Sequence, residues 1–179
     1  MKNLLFFSIS LLIFSYNLFS QKSNCDSICE DAIYVKTDNY EGVILGPKCF
    51  NFQVVDKFGN NMDFDIYDYM WKPTLEDVYI AEKLIKEYVI KKSKKTLVNQ
   101  GNGCPIIYQN FNKYIRQYSG RFNKKGQKIL EVNFIWKEYI PNYWKCGPVG
   151  IMDGCSYFWD ISVNMKKRKC FNYCVNGIG

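Results

Sequence analysis

Between Lys72 and Lys95 the sequence KPTLEDVYIAEKLIKEYVIKKSKK places Val78, Ala81, Ile85, Tyr88 and Val89 at spacings of three and four, the period of a helix with one apolar face. Thr74 follows Pro73, and its hydroxyl can accept the otherwise unbonded amide of Asp77. Glu76 and Asp77 set negative charge at the positive end of the helix dipole. Lys91, Lys92, Lys94 and Lys95 complement the other end. The pattern predicts an amphipathic helix of about five turns, which must rest its apolar side on another layer.

Downstream the period changes to two. In KYIRQYSGRFNKKGQKILEVNFIW, Tyr114, Tyr118 and Phe122 share one parity with Leu130, Val132, Phe134 and Trp136. A loop of Lys124, Lys125 and Gly126 sets Tyr118 opposite Val132, with Gly126 expected at positive φ. Arg116 interrupts the apolar row and is expected near a sheet edge or beside an acidic partner. A second hairpin follows, in which Trp159, Ile161 and Val163 alternate with Asp160, Ser162 and Asn164, and Phe171, Tyr173 and Val175 with Asn172 and Cys174. A loop at Lys166, Lys167 and Arg168 predicts Val163 opposite Phe171. The fold class expected is therefore α+β: one main amphipathic helix packed on a curved antiparallel sheet.

Before the helix the signal is weaker. VILGPKCFNFQVVDKFGNNMDFDIYD has short apolar runs broken by Gly46-Pro47 and Gly59-Asn60, which reads as two strands joined by a turn. Residues 21–41 lack periodicity and are expected to form an irregular, disulfide-tied lead-in. With no long Ser/Gly/Pro linker and no repeat, residues 42–179 read as a single α+β domain.

The first 20 residues, MKNLLFFSISLLIFSYNLFS, combine an early cation at Lys2 with an interrupted apolar run from Leu4 to Phe19, the pattern of a secretory signal peptide cleaved near Ser20. A membrane-spanning helix needs about 20 predominantly apolar residues, more than this run supplies. The expectation is a secreted or periplasmic protein with no transmembrane anchor in the mature chain. Gln21, Lys22, Ser23 and Asn24 separate Cys25 from the apolar run and argue against a lipid on that thiol.

All eight cysteines, Cys25, Cys29, Cys49, Cys104, Cys146, Cys155, Cys170 and Cys174, follow the signal peptide, and an even number in an exported chain reads first as disulfides. In the hairpin register above, Cys170 and Cys174 lie on the face opposite Phe171, Tyr173 and Val175. Four residues of strand span about 13 Å, whereas disulfides need Cα atoms within about 7 Å. Each is thus expected to bond outward, to Cys104 or an amino-terminal cysteine. Cys146 is expected to pair with Cys155 across the turn-rich GPVGIMDG. The same separation argues against a tetrahedral ion shared by Cys25, Cys29, Cys170 and Cys174, and no metal or cofactor is expected.

The chain contains no histidine, so a Cys or Ser nucleophile lacks its usual base, and no Ser-x-x-Lys occurs after the signal peptide. In NNMDFDIYD, Asn61, Asp63 and Asp65 alternate, with Asp68 beyond. Such oxygens could begin a calcium loop or supply a glycosidase pair. However, Ile66 stands where the calcium loop needs glycine, and Met62, Phe64 and Ile66 alternate with the acids as in a half-buried edge strand. In a chain of net charge +7 the cations sit in clumps at 91–95, 124–125 and 166–169, each at a turn or helix end where a solvated face puts charge. Export and this distribution together exclude nucleic acid as the expected partner.

KPTLEDVYIAEKLIKEY, YIRQYSGRFNKKGQKILEVNFIW and DGCSYFWDISVNMKKRKCFNYCVNG together resemble a group of small exported proteins of flavobacteria and related bacteria. That resemblance spans roughly residues 42 to 179 and implies location and fold, not activity. The order of helix then meander also resembles the cystatin-like fold, whose inhibitor members block cysteine proteases through a Gln-x-Val-x-Gly hairpin after the helix. Here QVVDK at 53–57 has Lys57 in place of the glycine and precedes the helix, and the hairpin in the corresponding place reads NKKGQ. Fold likeness alone does not transfer inhibition. The function expected from the sequence is a non-enzymatic exported domain that binds a protein or peptide. The alternatives are a carboxylate-based enzyme or calcium-dependent binder using Asp63, Asp65 and Asp68, and a cysteine-protease inhibitor.

Overall fold

The computed structural model describes residues 28–50, 54–55, 61–62, 69–93 and 95–178. The strands are β1 (Ala32–Lys36), β2 (Glu41–Leu45), β3 (Val54–Val55), β4 (Asn61–Met62), β5 (Met70–Trp71), β6 (Tyr114–Phe122), β7 (Lys128–Trp136), β8 (Phe158–Asn164) and β9 (Lys169–Val175), and the helix α1 spans Leu75–Ser93. The main sheet runs β1-β2-β6-β7-β8-β9, and β5 pairs with the far end of β6; β3 and β4 form a separate pair. The fold is α+β, one helix on a mostly antiparallel sheet. The exception is β2, which lies parallel to β6.

α1 starts where the sequence places it. The Asp77 amide donates to the Thr74 hydroxyl at 3.2 Å, while the Thr74 amide donates to the Asp77 carboxylate at 3.0 Å. Two orphan donors are thus satisfied reciprocally. Val78, Ala81, Ile85 and Val89 are fully buried against Tyr118, Leu130, Val132, Ile161 and Val163 of the sheet. The first hairpin also has its expected register, Tyr118 opposite Val132, and Gly126 turns its loop at φ 68°. Gly42 is required by close approach: a Cβ there would meet the Arg116 carbonyl at 2.5 Å on the neighbouring strand.

The second hairpin departs from expectation. At its open end Trp159 lies opposite Val175 and Asp160 opposite Cys174, but nearer the loop Val163 faces Cys170, not Phe171. Asn172, at φ 50°, inserts one extra residue into β9 and shifts the register by one. A one-residue slip exchanges the faces of a strand. Cys170 therefore joins Tyr173 and Val175 on the helix side, while Phe171, opposite Ser162, moves to the other face with Cys174, which lies opposite Asp160.

β1 lies within 21–41, the stretch expected to be irregular. The segment is disulfide-tied through Cys29, yet it supplies a five-residue edge strand antiparallel to β2. Its alternation is invisible in sequence because only Val35 of the strand is buried. The far face of the sheet carries a second, smaller core of Val43, Leu45, Cys49, Ile115, Ile135, Trp144 and Val149.

Candidate functional site

The cysteines resolve into structural and free groups. Cys29 bonds Cys49 with Cα atoms 5.9 Å apart, and Cys104 bonds Cys155 at 6.2 Å. The expected Cys146–Cys155 bond is thus incorrect. Cys146 is disulfide-bonded, but not to Cys155. The reason is the docking of the 3-10 turn Cys155–Tyr157 on the loop before β6: the Ser156 hydroxyl donates to the Pro105 carbonyl, and the Tyr157 hydroxyl to that of Gly103. Cys170 and Cys174 are free thiols, so the expected outward bonds are absent as well. Burial pushes the Cys170 thiol up to about 11, with the Glu87 carboxylate adding to the shift. It is an inert core group. The Cys174 thiol is exposed, and partial burial together with the Asp160 carboxylate also raises it.

On the face away from α1, cross-strand pairing aligns Gln117, Asn133, Asp160 and Cys174 in one row over four strands. The inner half of this row is committed to structure. Gln117 Nε2 donates to the carbonyls of Trp144 and Gly147, its Oε1 accepts the Val149 amide at 2.8 Å, and Asn133 Nδ2 donates to the Val149 carbonyl at 2.7 Å. These bonds hold residues 144–149 over the second core. The outer half is open, and there desolvation, with Glu131 nearby, raises the Asp160 carboxyl to about 6. Asp160 remains exposed, with the free Cys174 thiol opposite it on β9.

Between helix and sheet, Arg116 has found the acidic partner its sequence position demands. Its Nε lies 3.2 Å from Glu82 Oε1, Tyr118 donates to the same oxygen at 2.8 Å, and the guanidinium also donates to the carbonyls of Phe111 and Tyr114. The rings of Phe111, Phe134 and Tyr40 pack around it at 4.8, 5.1 and 5.9 Å. Every strong donor and acceptor is used inside the protein, so the cluster is an architectural element rather than a binding site.

The β1 edge is different. The amide of Gly46 donates to the Asp31 carbonyl and that of Thr37 to the Tyr40 carbonyl. These bonds fix the phase of the hairpin: the main-chain groups of Ile33 and Val35 face β2, and those of Tyr34 and Lys36 face outward. Cys29–Cys49 secures one end of the strand, and the Thr37 hydroxyl, accepting the amides of Asn39 and Tyr40, orders the turn at the other. Tyr34 is held in place by its hydroxyl, which donates to Glu41 Oε1 at 2.6 Å, and by Lys145, whose ammonium sits 4.5 Å from the ring centroid. That hydrogen bond, with burial and the carboxylate charge, pushes the Tyr34 phenol up to about 12; the same bond, with the charges of Lys36 and Lys137, holds Glu41 below its ordinary value against the opposing effect of burial. Ile33 and Tyr34 nevertheless remain 40% and 37% exposed, one on each face of the strand. The result is a strand fixed at both ends whose outward backbone donors and acceptors have no partner among the described residues, with two large apolar side chains beside them.

Asp63, Asp65 and Asp68 lie outside the described residues, and Asn61 lies in β4. Cys25 likewise lies outside them. Among the described residues no group of His, Cys, Asp or Glu is placed to hold a metal ion, and no helix is long and apolar enough to cross a membrane. No family model matches the chain, and no curated protein or solved structure matches it either.

Proposed function

We propose that the protein is an exported, non-enzymatic domain that binds an extended peptide segment of another protein by strand addition at β1. The observation that carries this reading is the outward-facing backbone of Tyr34 and Lys36 on a strand fixed at both ends. An incoming strand would take main-chain hydrogen bonds from these residues, and Ile33 and Tyr34 would select its alternate side chains. The disulfides fit an oxidising compartment, in keeping with the amino-terminal signal-peptide pattern.

The test is selection from a displayed library of extended peptides, followed by titration of the enriched sequences against the protein and its Tyr34→Pro variant. Proline is tolerated on an edge strand where the amide faces outward, so the variant should fold while losing the outward donor. Enriched peptides should bind the protein and lose at least tenfold in affinity for Tyr34→Pro, with the circular dichroism unchanged. Equal binding by both proteins, or no enrichment, overturns strand addition. Turnover of any substrate in a broad hydrolase panel that survives repurification overturns the non-enzymatic reading.

A further inference from the structure

The basic clumps at 124–125 and 166–169 are separate in sequence but adjacent in the fold. β7 and β8 pair antiparallel, so the tip of the β6–β7 hairpin and the tip of the β8–β9 hairpin meet at one end of the sheet. The Met165 amide donates to the Lys128 carbonyl at 3.0 Å, and Asn164 Nδ2 donates to Gln127 Oε1 at 3.0 Å. Asn123 Nδ2 donates to the same oxygen, and Asn123 Oδ1 accepts the amides of Lys125 and Gln127. The two tips are therefore one rigid unit.

This unit carries Lys124, Lys125, Lys128, Lys166, Lys167, Arg168 and Lys169, all exposed. None of the seven forms an ion pair among the described residues. They are seven of the chain's 24 basic residues, and none of its 17 acidic residues falls in 123–128 or 164–169. The rest of the sequence is formally neutral, so the whole net charge of +7 resides at this one end. Seven like charges without an ion-pair partner among the described residues, held together by a fixed scaffold, repel one another, a cost that an opposing anionic surface would relieve.

We propose that the joined hairpin tips form a docking surface for the anionic phosphate headgroups of a phospholipid bilayer. Two adjacent turns present their cations outward from the sheet end, which suits a flat array of headgroups. Phe122 and Met165, the apolar residues beside the turns, are half-buried, and Trp71 is buried beneath the Lys128 ammonium, 4.5 Å from its ring centroid. Neither turn, 123–128 or 164–169, contains an aromatic residue, and the exposed ring beside them is that of Tyr69, one residue before β5, so the turns themselves lack the row of stacking platforms that single-stranded nucleic acid requires. Attachment is thus electrostatic and peripheral, without insertion into the hydrocarbon. It does not involve β1, because β2 joins β6 at Ile115 to Tyr118, away from the tip.

Cosedimentation with phosphatidylcholine vesicles, with and without phosphatidylglycerol, tests this for the protein, for the Lys124→Gln/Lys125→Gln and Lys166→Gln/Lys167→Gln variants, and for Lys91→Gln/Lys92→Gln at the end of α1. The protein should bind only vesicles containing phosphatidylglycerol. Raising salt from about 0.1 M to about 1 M, which shortens the screening length from about 10 to about 3 Å, should release it. Removing two tip cations should lower partitioning roughly 30-fold, the effect of two charges near an anionic membrane. The α1 variant, with the same net charge, should bind as the unaltered protein does. Absence of binding overturns the proposal, as does equal loss in the α1 variant, which would indicate net charge alone. Retention on heparin or single-stranded DNA without retention on vesicles also overturns it in favour of a soluble polyanion.

Discussion

Glu82 of α1 and Arg116 of β6 meet in the interior, Oε1 to Nε 3.2 Å apart, with side-chain exposures of 8% and 0%. The pair joins the helix to the sheet at the point where the apolar row of β6 is interrupted. Removing one partner leaves the other charge buried without compensation, whereas removing both does not.

Glu82→Leu should therefore lower the unfolding free energy by about 3–5 kcal/mol, and the Glu82→Leu/Arg116→Met double variant should be the more stable of the two. Denaturant titration measures both. A single variant within about 0.5 kcal/mol of the unaltered protein would mean that the pair contributes nothing.

Cys104 and Cys155 close a loop across 51 positions, against 20 for Cys29 and Cys49. In the chain-entropy account the longer loop restricts the unfolded chain more. Replacing Cys104 and Cys155 together by alanine should cost about 4 kcal/mol, and replacing Cys29 and Cys49 about 3 kcal/mol. Guanidinium melts of the two double variants give the order, and the reverse order would contradict the entropic reading.

The free thiols should differ in reactivity. Under native conditions a thiol-exchange reagent should modify Cys174 and leave Cys170 intact, since Cys170 is buried and its thiol is pushed up to about 11. Only on unfolding should the second equivalent appear. Peptide mapping after native labelling identifies the residue, and label at Cys170 in folded protein would place that thiol outside the core.

Asp160 should titrate at about pH 6 by carbon-detected NMR, because desolvation and the Glu131 carboxylate favour its neutral form. The folded value lies above the ordinary 3.8, so the folded state binds the proton more tightly than the unfolded chain. Its ionisation consequently opposes folding: stability should fall as pH rises from about 4 through 6, and the cost is absent below that window. Asp160→Asn should remove this slope and stabilise the protein at pH 7. The side chain is exposed, so the gain should stay within about 1 kcal/mol. An unchanged slope would assign the titration to another group.

The parts of the fold legible in sequence are those where two local signals agree. Thr74 and Asp77 mark the helix start by spacing and capping chemistry at once, and Tyr118 and Val132 share both parity and a loop that closes on Gly126. β9 defeats the same reasoning because Phe171, Tyr173 and Val175 preserve an apparent alternation across the extra residue at Asn172. That one residue moved Cys170 to the helix side. The bond from Cys104 to Cys155 depends on loops brought together by Ser156 and Tyr157, and tertiary docking of this kind leaves no periodic trace. For the candidate site, β1 buries too little to alternate. The joined basic tips need the strand order β6-β7-β8-β9, which places 124–125 beside 166–169.

β2 pairs with β6 through Glu41 opposite Ile115, so its hydrogen bonds wait until roughly seventy intervening residues have been gathered in. Closing a segment of that length costs about 2.5 kcal/mol more than closing a four-residue hairpin loop. The meander from β6 to β9, built from neighbours along the chain, does not face that delay. The order of assembly that follows has the meander and α1 forming a nucleus and the β1–β2 hairpin arriving last, as local contacts generally precede distant ones. β1, which ends as one edge of the sheet, would then also be the final piece to settle, and a chain arrested just before that step would expose β6 instead.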